Sequence, residues 1–168
     1  MRNRATCFLF FLLAMGLSSC EKDDICVEGN TPLLVIDFIN VAATTQLKNV
    51  NDLRVVGLGT TAVVNTTTDR TDVNTIRVPL KTNEDTTSFL LIRNSATNDA
   101  GAETGDVDTL MLSYERVEDF TSRACGFVVN YNNLSASLVG SADNWIDRAL
   151  VVRAQVINSD STHVQIFH

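Results

Sequence analysis

Short runs that alternate polar and apolar residues, parted by turn residues, constrain this chain more than any other feature. Leu110, Leu112 and Tyr114 fall on one side of their run, and Thr109, Ser113 and Glu115 on the other. Successive strand side chains point to opposite faces, so such a run is a strand with one covered face. Cys125, Phe127, Val129 and Tyr131 repeat the pattern, as do Leu150, Val152, Ala154 and Val156. Strands are expected at 33–41, 52–58, 74–80, 87–93, 108–116, 125–131, 148–157 and 163–167. The first is apolar at nearly every position, with Asp37 the interruption, as suits a central strand covered on both sides. Asn158-Ser159-Asp160-Ser161 is a turn that folds the last two strands into a hairpin. The stretch 94–107 reads as a mobile loop, and 143–147 as at most one helical turn around Trp145, a core or edge plug. No window carries a sustained helical stripe. The expected fold is all-β, an antiparallel two-sheet sandwich (immunoglobulin-like or jelly-roll-like) of about eight strands, with a barrel as the alternative. The shared faces predict a core that includes Leu110, Leu112, Phe127, Val129, Leu150 and Val152.

The chain divides into three segments: 1–19, 20–32 and a single domain at 33–168. Arg2 and Arg4 precede an uncharged run from Ala5 to Gly16 that includes Phe8, Leu9, Phe10, Phe11, Leu12 and Leu13. That run is shorter than the ~20 apolar residues needed to span a bilayer and suits a cleaved signal peptide. Leu17-Ser18-Ser19-Cys20 resembles the lipobox of bacterial lipoproteins. The resemblance implies that a signal peptidase recognises Leu17, Ser18 and Ser19, cuts before Cys20, and leaves its thiol carrying diacylglycerol. The acidic stretch 20–32 is then a lipidated tether. Within it, Lys22-Asp23-Asp24 resembles the export signal of surface lipoproteins in Bacteroidota; the plain alternative is a solvated linker on the periplasmic side.

Charge narrows the partners. The formal charge is −7, and loss of Arg2 and Arg4 takes 13 basic residues to 11 against 20 acidic ones, giving −9. Such a surface repels phosphate backbones and anionic headgroups. No nucleic-acid partner is expected, and membrane attachment must come from the N-terminal lipid. Of four cysteines, Cys7 leaves with the signal and Cys20 takes the lipid. Cys26 and Cys125 remain, either a disulfide in a permissive compartment or two buried thiols. On a chain-entropy argument the bridge would stabilise the fold by ~4–5 kcal/mol.

Catalytic signals are sparse. His163 and His168 are the only imidazoles, both near the C-terminus, and no serine lies in a Gly-x-Ser-x-Gly turn. Cys125 is better read as a half-cystine than as a nucleophile. Ligand spacing for zinc is lacking. Asp99, Glu103, Asp106 and Asp108 cluster near glycines, but their spacing fits no EF-hand and they read as a solvated acidic loop. No metal, cofactor or catalytic residue is therefore assigned. Asp85-Thr86-Thr87, Asp108-Thr109-Leu110 and Asp160-Ser161-Thr162 resemble the O-glycan acceptor motif of secreted Bacteroidota proteins.

Several islands taken together carry a wider resemblance: Cys20-Glu21-Lys22-Asp23-Asp24-Ile25-Cys26, Thr31-Pro32-Leu33, Leu53-Arg54-Val55-Val56-Gly57, Ser122-Arg123-Ala124-Cys125-Gly126-Phe127, Asp143-Asn144-Trp145-Ile146 and the ending His163–His168. They resemble an uncharacterised family of short Bacteroidota lipoproteins, classed as a domain of unknown function. The resemblance implies an outer-membrane lipoprotein, on the periplasmic face or the cell surface. It brings no activity, and it favours a Cys26–Cys125 bridge because each cysteine sits in its own island. The leading expectation is a non-catalytic binding or structural module with an unidentified protein or glycan partner. An assembly or adhesin subunit that exchanges its C-terminal strand, and a hydrolase using a carboxylate pair, are the alternatives.

Overall fold

The computed structural model describes residues 31–140 and 143–168. The expected signal peptide, Cys20, the Lys22-Asp23-Asp24 motif and Cys26 lie outside the described residues. Among those described, ten strands form two sheets: β1 (Leu34–Asn40), β2 (Ala43–Leu47), β3 (Val50–Gly57), β4 (Thr71–Val73), β5 (Thr75–Val78), β6 (Thr86–Arg93), β7 (Asp106–Ser122), β8 (Gly126–Val139), β9 (Arg148–Val151) and β10 (Val164–Phe167). The first sheet runs β2-β1-β10-β9, with β5 also on β1; the second runs β4-β3-β6-β7-β8. The molecule is a two-sheet β-sandwich, antiparallel except where β1 and β10 run parallel.

As its composition requires, β1 is central. It pairs with β10 on one side and with β5 and β2 on the other. Leu34, Ile36 and Phe38 enter the main core, while Val35 and Ile39 are buried on the opposite face. Asp37 sits between those two and accepts hydrogen bonds from the hydroxyls of Thr75 (2.7 Å) and Thr162 (2.6 Å), which satisfies its half-buried carboxylate. The second sheet answers with Val55, Leu91, Leu110 and Leu112.

Three expectations need correction. The run 148–157 is not one strand, because β9 stops at Val151. There the amides of Val152 and Arg153 both turn to the carbonyl of His163 (2.8 and 3.2 Å). The hairpin with β10 does form, through the longer connection 152–163. Its inward face is Ala149 and Val151, opposite Ile166 and Val164, so Leu150 and Val152 are exposed rather than core. Phe127 is also outside the core, for a reason given below. Third, the 94–107 segment is a tied hairpin. Glu103 accepts from the amides of Ala96, Thr104 and Gly105 (each 3.1 Å) and from the Ser95 hydroxyl (2.9 Å). A Cβ at Gly105 would lie 2.7 Å from the carbonyl oxygen of Arg93, so only glycine permits this return.

Candidate functional site

β7 and β8 are the longest strands, and they outrun the sandwich. Their first part lies within the second sheet, where Leu110 and Leu112 point into the core. Two tyrosines close that end: Tyr114 and Tyr131 meet edge to face at 4.9 Å. The Tyr114 hydroxyl bonds to Thr87 (2.6 Å) and donates to the carbonyl of Lys81 (3.0 Å), and that of Tyr131 donates to the carbonyl of Leu80 (3.2 Å). Burial pushes the Tyr131 phenol up to about 12, so it remains a donor at neutral pH. Asn133, at φ 52°, forms a bulge opposite Tyr114. The extra residue changes the phase, so Tyr131 and Leu134 both point inward.

Beyond the tyrosines the two strands continue as a ribbon: Val129 still packs against the core, and past it no sheet of the described residues covers the tip. Phe120 and Phe127 pair directly and touch edge to face at 5.3 Å, yet they are 55% and 67% exposed. This is why Phe127 fails as a core residue: its phase matches Tyr131, but no sheet of the described residues packs against it. The turn is held by Ser122, whose Oγ accepts from the Cys125 amide (3.0 Å), and by Gly126 at φ 71°. Cys125 is half-buried at this turn.

Two other parts of the chain come to the ribbon. The 152–163 connection crosses from the first sheet and pairs with the free edge of β8: Tyr131 and Val156 exchange two backbone hydrogen bonds (3.1 and 2.8 Å), and Leu134 donates to Ala154 (2.9 Å). Nearer the tip, the Val129 amide donates to the Thr31 hydroxyl (3.3 Å), which brings the start of the described chain to the same edge. The edge strand is thereby covered in part. Phe127, Ile157 and Phe120 are the three most exposed large apolar residues among those described, and all belong to this end.

The remaining chemistry-bearing residues serve the fold. His163 is buried; its Nδ1 accepts from the Val35 amide (3.1 Å), leaving the proton on Nε2, and burial together with Arg153 lowers its pKa. His168 packs edge-on against Phe38 and Trp145, while its main chain bonds to Ile39 and Val41. Trp145 is a plug, donating from Nε1 to the Leu91 carbonyl (3.2 Å). The acidic cluster is not simply solvated: Asp108 is buried and accepts from the Ile146 amide (2.8 Å), and Asp106 pairs with Arg93 (2.8 Å). Desolvation raises the Glu103 pKa but is outweighed by donors from Gly105, Ser95, Arg54 and Thr104, which hold it at about 2. Among the described residues no group of three or more His, Cys, Asp or Glu converges as a metal-binding set. Shallow clefts of about 570 and 410 Å³ flank the 152–163 connection; the first has one carboxylate on its wall, Asp160, and the second none. Of the three glycan-like motifs, Asp108-Thr109-Leu110 sits inside a sheet and Thr162 is bonded to Asp37. β10 lies inside its own sheet, between β1 and β9.

Sequence reasoning singled out Cys125, as the start of a strand, whereas it lies in the turn just before β8, and it overlooked Phe120. The legible signal was the near-symmetry of Phe120 and Phe127 about a turn that ends in glycine.

Fold and ribbon together define a two-sheet β-sandwich with a two-stranded arm at one end. The chain belongs to DUF6452, a family of unknown function whose model matches residues 52–168. The match begins inside β3, so β1 and β2 precede it although β1 is central to its sheet. No curated protein and no solved structure matches the chain.

Proposed function

We propose that the chain is an outer-membrane lipoprotein of Bacteroidota type: a non-catalytic sandwich held to the envelope by diacylglycerol on Cys20 and clamped to its tether by a Cys26–Cys125 disulfide. Its task is binding or organising neighbours, on the periplasmic face or, through Lys22-Asp23-Asp24, on the cell surface. The observation that carries this reading is the bond from the Val129 amide to Thr31. It puts Thr31, the start of the described chain, at the same end of the sandwich as the Cys125 turn, which supports a tether entering there. Cys26 is five residues before Thr31, a reach of at most ~17 Å. Cys125 is four residues before Val129, ~13 Å along a strand. The two lengths match well enough for the thiols to meet. The non-catalytic reading is supported by both histidines being spent on packing and on main-chain hydrogen bonds.

Mass spectrometry of the membrane-extracted protein tests both attachments. The expected species begins at Cys20 with diacylglycerol, and a non-reducing digest links the Cys26 and Cys125 peptides. Cys20→Ala leaves an unlipidated precursor. A normally lipidated Cys20→Ala protein, or free Cys26 and Cys125 peptides in the non-reduced digest, overturns the corresponding half of the proposal.

A further inference from the structure

We propose that the ribbon tip is itself a membrane contact, seating Phe120 and Phe127 in the headgroup–acyl boundary of the bilayer that holds the anchor. This rests on the reading of Cys20 as the lipid site and of Cys26–Cys125 as a bridge. Cys26 is six positions after Cys20, a reach of at most ~22 Å, and a bridge adds ~6 Å, so Cys125 lies within ~28 Å of the lipidated residue. The turn that carries Cys125 also carries the exposed phenylalanine pair, with Phe127 two residues away and Phe120 directly across from it. The tether therefore delivers the most exposed apolar side chains of the described molecule to the membrane surface.

The chemistry of the tip fits a lipid surface. Phe120 and Phe127 present aromatic area at the end of a two-stranded arm, with exposed Ile157 on the strap at its base. Arg123 is exposed at the turn, where a guanidinium meets lipid phosphate, while the exposed Glu118 and Asp119 lie just behind Phe120 on β7 and limit how deep the tip can insert. A chain of net charge −7 gains nothing from a general attraction to an anionic surface. Contact must come from apolar insertion next to an existing anchor, and one weak insertion beside a covalent lipid adds orientation without needing affinity of its own. The far end of the sandwich, with Trp145 and His168 packed on Phe38, is then held away from the bilayer.

Tryptophan fluorescence of the lipidated full chain in phosphatidylethanolamine–phosphatidylglycerol vesicles with brominated acyl chains tests this. Phe127→Trp adds a reporter at the tip, and buried Trp145 is the internal reference. The expected result is a blue shift of the added emission on vesicles and its loss to bromine, with Trp145 unaffected; Phe120→Trp repeats the measurement at the paired position. Emission that stays unshifted and unquenched at both positions, while the protein floats with the vesicles, overturns the contact and leaves the anchor standing. A blue shift without bromine quenching means that a second copy or a protein partner covers the tip, and also overturns it. A lipid-free chain that does not float brings both readings down, and flotation distinguishes that outcome.

Discussion

Each of β7 and β8 is half core strand and half arm, so the same two strands sample two environments. Around Leu110 and Leu112 the alternation is read by a facing sheet: apolar residues are fully buried and their neighbours are not. Past Tyr114 and Tyr131 the alternation continues, but its cover ends among the described residues at Val129, and Phe120 and Phe127 remain in water. Period two specifies which residues share a face. It does not specify whether that face is covered. A residue's phase and its burial are therefore separate facts, and only the second carries most of the free energy of the fold.

The largest expected effect tests the covered half. Leu112 is fully buried between the sheets, and Leu112→Ala removes its packing while leaving the strand ladder intact. The expected loss is about 2–5 kcal/mol, measured by denaturant unfolding. A loss below about 0.5 kcal/mol, typical of surface sites, would erase the distinction between the two halves.

Second in size is the Glu103 hairpin, where a loop is ordered by charge rather than by burial. Glu103→Gln keeps the shape and removes the charge that gathers Arg54, Ser95 and three amides. Hydrogen bonds to charged groups contribute about 1.5–3 kcal/mol, and the half-exposed setting puts the expected loss at the lower end. The sign with pH follows from the depressed value. Folding favours the carboxylate, so its contribution is complete above the ordinary 4.5 and is lost as pH falls toward about 2. The Gln variant should lose that part of the acid dependence; an unchanged acid limb would mean that the bonds to Glu103 do not order the loop.

These sites show how far the sequence could be read. β1 and β6 were legible as dense apolar runs covered in the sandwich, and the covered part of β7 because its alternation meets a facing sheet. β2 (Ala43–Leu47) and β4 (Thr71–Val73) were not, since both are short edge strands of mostly polar residues with little burial. The face of β9 was misread because four residues give too short a run to set the phase, and the chain leaves the sheet just after it. The order of the 94–105 hairpin was hidden because it depends on one carboxylate reaching amides up to seven residues away. For the candidate site, Cys125 stood out as chemistry, whereas the ribbon's exposure depends on where the opposite sheet ends.

A smaller effect is expected at Asp108, which sits in the covered half and has the opposite pH sign from Glu103. Burial raises its pKa above 3.8, against the donors from Ile146 and Trp145. The folded state therefore favours the protonated form, and this group lowers stability as pH rises through 3.8 toward its folded value. Asp108→Asn keeps an acceptor for Ile146 and removes the titration. Stability at neutral pH should stay within about 1 kcal/mol of the parent. The two variants should change the acid profile in opposite directions, and a shift in the same direction would refute one of the two assignments.

The smallest effect belongs to the arm. Phe127→Ser removes the most exposed large apolar side chain among the described residues together with its contact to Phe120, and at 67% exposure it opens no cavity. An aromatic pair contributes about 0.5–1.5 kcal/mol beyond its buried area, and solvent on both rings puts this one at the bottom of that range. Unfolding of the full chain should therefore shift by less than about 1 kcal/mol, well below the Leu112→Ala loss. Hydrogen exchange adds the local view: amides of Val117–Phe120 and Phe127–Val129 should exchange faster in the variant, while Leu110 and Leu112 keep their protection. If Phe127→Ser instead costs as much as Leu112→Ala, the ribbon is covered in solution and the contrast between the two halves of β7 and β8 fails. A small global change with a local loosening means that the molecule keeps an apolar arm in water at almost no stability cost, and the reason for retaining those phenylalanines must lie in what the arm touches.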